Sequence, residues 1–155
     1  MKLTNMKQDL KSRLLTIINS PSENTNDKLQ KICQLLDQEI AYFNWTGFYF
    51  KNGDKEELVL GPFVGVPTDH TIIPYGKGIC GQVAVSNQTF VVPDVGAQDN
   101  YLSCSIETKA EIVVPIIKNG KNIGQIDIDS HSKDPFTQED QELLEWLCAE
   151  LSVIL

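Results

Sequence analysis

The chain has no cluster of positive charge. Its 13 lysines and arginines are scattered among 21 acidic residues, giving a formal net charge of −8. Phosphate backbones and anionic membranes are held by gathered Lys and Arg, so nucleic acid and membrane surfaces are excluded as partners. Long apolar runs are missing too, and none approaches the roughly 18 residues that a membrane span needs. No basic-then-apolar leader opens the chain, because "MKLTNMKQDLKSRLLTIINS" alternates charged and apolar residues at helical spacing. The expected location is cytoplasmic. Cysteine is scarce, at four residues, and never paired as CxxC, which excludes a disulfide scaffold. Only His70 and His131 could assist the cysteines as zinc ligands, and no ligand spacing recurs. Neither a metal nor another cofactor is expected.

What remains is an ordinary soluble composition, 41% hydrophobic and 22% charged, over 155 residues. That length predicts a single domain over 1–155 with a real core. Leu10, Leu14, Leu15 and Ile18 recur at helical spacing and stop at "NSPSENTN". Leu29, Ile32, Cys33, Leu36 and Ile40 predict a second helix. Strands follow in "NWTGFYF" and "EELVLGPFVG", joined across Asn52-Gly53. "YGKGICGQVAVSNQ" is a glycine turn entering a short helix, and "TFVVPDV" a short strand closed by Pro93. "AEIVVPIIKNGKNIGQIDIDS" gives two strands around Asn119-Gly120. A last helix, capped by Thr137, turns Leu143, Leu144, Leu147 and Leu151 inward. The expected fold is α+β, an antiparallel sheet with N- and C-terminal helices packed on one face.

In a reducing compartment a cysteine is either core filler or reactive. Cys33 and Cys148 fall on apolar helix stripes and are expected to be inert. Cys80 follows "YGKG" at a helix N-terminus, where backbone N–H groups favour a thiolate; otherwise it is a small residue filling a tight turn. Cys104 lies in an aperiodic segment between polar neighbours, Ser103 and Ser105, which suits a reachable thiol as well as a buried loop residue. Strand alternation puts Gln125, Asp127 and Asp129 on one face, opposite Ile126 and Ile128. That face is either washed by solvent or part of a site. Glu111 favours a site, because pairing across Asn119-Gly120 sets its strand beside that of Asp127. Clustered carboxylates repel one another until a cation or proton joins them. They suit a ligand's ammonium group, a shared proton or a metal, and metal is the weakest of these because no histidine lies on the two strands. Trp45, Gly47 and Tyr49 share one strand face, and the glycine leaves room for something to stack on the indole.

The stretches "NWTGFYF", "LVLGPFVGVP", "IPYGKGICG", "VPDV", "AEIVVPI" and "IGQIDIDS" resemble the free methionine-(R)-sulfoxide reductases, single GAF-like domains. They span about two-thirds of the chain. The resemblance implies thiol-dependent reduction of free methionine sulfoxide through a cysteine sulfenic acid and an intramolecular disulfide, recycled by a thioredoxin-type reductant. It implies that Cys104 takes the place of the nucleophile and Cys80 that of a resolving cysteine. Glu111, Asp127 and Asp129 take the places of pocket carboxylates, and Trp45 that of an aromatic packing on substrate. A homodimer is left open. The chain departs from the family at His70, where another cysteine is usual, and at "NYLSCS", where Gly-His-Ile-Ala-Cys-Asp is usual. The alternative is a non-catalytic GAF domain that binds or senses a small amino-acid-like ligand.

Overall fold

The computed structural model describes residues 2–102 and 105–155. Two helices, α1 (Lys2–Ile18) and α2 (Thr25–Glu39), precede strands β1 (Trp45–Lys51), β2 (Glu57–Val64) and β3 (Ile72–Pro74). Helix α3 (Gly78–Ser86) and strand β4 (Phe90–Val92) lead into β5 (Ala110–Lys118), β6 (Lys121–Ser130) and the closing helix α4 (Gln138–Ile154). The six strands form one antiparallel sheet in the order β3-β2-β1-β6-β5-β4. This is the expected α+β architecture. The pattern had not marked β3, a three-residue edge strand that pairs with β2.

Local chemistry explains the boundaries. Asn24 caps α2 by accepting from the Asp27 N–H at 2.9 Å. Thr137 and Asp140 form a reciprocal capping box at the start of α4. Asn119 and Gly120 both have positive φ, 53° and 76°, which matches the twist of the β5–β6 hairpin and sets its register. Asp140 also joins helices distant in sequence. Its side chain accepts from Lys7 Nζ at 2.7 Å and from the Tyr42 hydroxyl at 2.6 Å. Burial pushes this carboxyl up, but Lys7, the Thr137 N–H and Tyr42 outweigh it and hold its pKa below the usual value.

The sheet divides the interior in two. On one face Ile112, Val114, Ile116, Ile126 and Ile128 pack against leucines of α1, α2 and α4. On the other, Tyr49, Leu58, Val92 and Val113 pack against Ile79, Cys80 and Val83 of α3. Alternation along β5 and β6 thus feeds both layers from the same two strands.

Candidate functional site

The second layer holds the acidic residues. Glu111 pairs in register with Asp129, and Val113 with Asp127. Gln125, Asp127, Asp129 and Glu111 are each no more than 3% exposed. The solvent-washed alternative is therefore ruled out for this strand face: α3 and the glycine turn cover it.

That turn dictates where Cys80 lies. Gly78 has φ +63°, and a Cβ there would come within 3.0 Å of Leu102. A Cβ on Gly81 would sit 2.7 Å from the Pro74 carbonyl oxygen, so only glycine lets the helix pack this close to the turn. Gln125 fastens α3 to the sheet by donating from Nε2 to the Cys80 carbonyl at 2.9 Å. Asn100 fastens the 99–102 loop to the helix start. Its Oδ1 accepts from the Gly78 N–H at 2.8 Å and its Nδ2 donates to the Gly76 carbonyl at 2.7 Å.

Cys80 is the third residue of α3 and is almost fully buried. Of the two readings of Cys80, the helix N-terminus by itself would favour a thiolate. Burial raises its pKa well above the ordinary value, and the Asp127 and Glu111 charges raise it further, overriding the helix dipole. The Cys80 thiol instead serves as a hydrogen-bond donor to Asp127. Burial likewise raises the pKa of Asp127, partly offset by hydrogen bonds with Glu111 and Cys80. Two buried carboxyls whose oxygens lie within 4.8 Å of one another repel unless one of them keeps a proton. One oxygen of Cys80's neighbour Asp127, Oδ1, has no hydrogen-bond partner among the described residues.

Tyr49, His70, Ile73, Lys77, Gly78, Leu102 and the Cys80–Glu111–Asp127 trio line a small cavity. Its free space is about 10 Å³, room for roughly one water molecule. The structure thus brings together three of the six expected site residues. Cys104 lies outside the described residues. Trp45 and Asp129 are buried next to each other in register but do not line this cavity. The space expected beside Trp45 is filled: the indole itself covers Gly47, and its ring stacks on Phe63 and Tyr49 at 5.5 and 6.4 Å. Its Nε1 donates to the Val66 carbonyl at 2.9 Å.

Pattern alone had not singled out Tyr49, Lys77, Leu102 or Asn100. Tyr49 was findable, since it shares the face of Trp45, and its hydroxyl donates to the His70 carbonyl at 2.8 Å. Nothing in "GAQDNYL" distinguishes Asn100 from an ordinary turn residue. Cys33 and Cys148 behave as expected: both are buried in the helix-side layer and donate weakly to backbone carbonyls of Pro62 and Val114.

A curled antiparallel sheet with terminal helices on one face, and a thiol held against buried carboxyls on the other, has the layout of a GAF domain. Residues 26–155 match the GAF domain family. The free methionine-R-sulfoxide reductase of Escherichia coli strain K12 is 38% identical over 121 residues, 78% of this chain and 72% of that protein. The enzyme of the same name from Saccharomyces cerevisiae is 46% identical over 106 residues, 67% of this chain. That match spans only 58% of the yeast protein. The crystal structure of free methionine-R-sulfoxide reductase from Neisseria meningitidis, in complex with its substrate, superimposes with a TM-score of 0.88. It is 31% identical and the match covers 99% of this chain and 89% of the other. The chain belongs to the GAF family, and within it is a homologue of the free methionine-R-sulfoxide reductases.

Proposed function

We propose that this chain, acting as one GAF unit over residues 1–155 in the cytoplasm, reduces free L-methionine (R)-sulfoxide to methionine. The observation that carries this is the Cys80 thiol held within 4.8 Å of the buried Glu111 and Asp127 carboxyls. A sulfoxide sulfur is a poor electrophile until its oxygen is protonated, and a buried carboxyl that holds its proton more tightly than usual can supply one. The Cys104 thiolate attacks sulfur, the oxygen passes to Cys104 as a sulfenic acid, and methionine leaves. Cys80 then attacks that sulfenic sulfur. Asp127 takes the thiol proton and passes it to the departing oxygen, which leaves as water, and a Cys80–Cys104 disulfide remains. A thioredoxin-type dithiol reduces it.

Selection of the free amino acid follows from charge. Asp129, buried opposite Glu111, pairs with the substrate's ammonium group. A methionine sulfoxide within a polypeptide has no such group and forgoes that pairing. Trp45 acts through Tyr49, on which it stacks.

The test has two parts. Separate R and S forms of free methionine sulfoxide are incubated with the protein and a thioredoxin system while NADPH is followed; only the R form should be consumed. One equivalent of substrate without reductant should then consume two thiols, and peptide mapping should join Cys80 to Cys104 with Cys33 and Cys148 free. Cys80→Ser should instead trap a sulfenic acid on Cys104, detected with dimedone. Ligand binding without NADPH consumption would establish the non-catalytic alternative.

A further inference from the structure

Metal was set aside in the sequence because no histidine lies on the acidic strands. The structure brings a sulfur to them instead. The Cys80 thiol and one carboxylate oxygen each from Glu111 and Asp127 all lie within 4.8 Å of one another. The three donors come from α3, β5 and β6, which rigid packing holds in place. A further donor stands beside them. The Gln125 side chain is fully buried and within hydrogen-bonding reach of the Cys80 thiol, and its Oε1 has no partner among the described residues. Asp127 Oδ1 is likewise unpartnered and buried. Lys77 lines the cavity, but it is exposed and no ion pair joins it to Asp127 among the described residues.

We propose that Cys80, Glu111 and Asp127 form a zinc-binding site, with the Gln125 carbonyl or a water as the fourth ligand. A mixed sulfur and oxygen set suits a borderline ion such as Zn²⁺, whereas Mg²⁺ and Ca²⁺ require oxygen alone. Zinc binds thiolate at about 2.3 Å and carboxylate at about 2.0–2.2 Å, so the donor triangle must contract by about 1 Å around the ion. Zinc binds the thiolate and the ionised carboxylates, so the ion displaces the protons those groups carry. The ion holds the same groups that the proposed reduction uses, so zinc and turnover are mutually exclusive. Only that last consequence rests on the reductase reading.

Reduced protein is dialysed to equilibrium against Zn²⁺, and Co²⁺ serves as a spectroscopic probe. The wild type should bind one ion per chain and show a near-ultraviolet sulfur-to-cobalt charge-transfer band. Cys80→Ser should lose the band, while Cys104→Ser keeps it. Glu111→Gln and Asp127→Asn should each weaken binding at least about tenfold. Absence of the band in the reduced wild type, or its survival in Cys80→Ser, overturns the site. Should Cys80→Ser fail to fold by circular dichroism, Glu111→Gln decides, and unchanged affinity there overturns it as well. These readouts need no turnover, so the metal site stands or falls separately from the reductase activity.

Discussion

Asp127 is the residue on which the chemistry turns, because it touches both the thiol and the second carboxyl. In the folded chain it keeps a proton to higher pH than in the unfolded chain. Between the ordinary value, about 3.9, and the raised one, the native state binds more protons, so stability falls as pH rises. Asp127→Asn removes that slope. Urea midpoints from pH 4 to 7 should show the wild type losing stability relative to the variant; parallel curves would refute the shift. The same substitution should lower turnover roughly 10²–10⁴-fold, the usual range for a positioned acid or base. Glu111→Gln should lower turnover likewise in the same assay. A Glu111→Gln variant that kept full activity would remove that residue from proton delivery.

At the scale of elements, α3 and the 99–102 loop are held in place by few contacts that can be tested singly. Gly81→Ala places a Cβ against backbone atoms of the turn, and such overpacking costs about 1–3 kcal/mol. Asn100→Ala frees the Gly78 N–H; loss of such a cap costs about 0.5–2 kcal/mol. It also loosens the loop that leads to Cys104, leaving the bond from Gln82 Nε2 to the Asn100 carbonyl, so dimedone should trap more sulfenic acid in this variant than in the wild type. Equal trapping would show that the tie does not serve disulfide formation. These elements also mark how far the sequence could be read. The helices and every strand but β3 were legible because periodicity and turn residues such as Asn119-Gly120 act locally. The facing of Glu111 toward Asp127 followed from the same rule. The burial of Cys80 was not legible, because it depends on α3 packing across the sheet, and that burial decides against the helix dipole. The filling of the space beside Trp45 was hidden for a related reason: Phe63, which covers its ring, belongs to another strand.

In the whole molecule the two layers answer to different pressures. The helix side is tied by Asp140, whose carboxylate joins Lys7, Tyr42 and the start of α4. Its pKa is lowered, so its contribution is present above the ordinary carboxylate range and is lost as pH falls through the depressed value. Asp140→Ala removes a capping box and strands a hydroxyl and an ammonium, at roughly 2–3 kcal/mol. Calorimetry should show a melting point lower by about 5–10 °C, with KM for the sulfoxide unchanged. A changed KM would mean that the layers are coupled. Their separation also places a rule of arithmetic on how this chain can vary by descent. Because β6 sends Ile126 and Ile128 one way and Asp127 and Asp129 the other, a one-residue slip of β5 against β6 would exchange the two sets. Carboxylates would then enter the leucine layer, and isoleucines would line the pocket. An odd change in length near Asn119-Gly120 is therefore tolerated where a bulge absorbs it, as the irregularity between Ile116 and Ile117 already does.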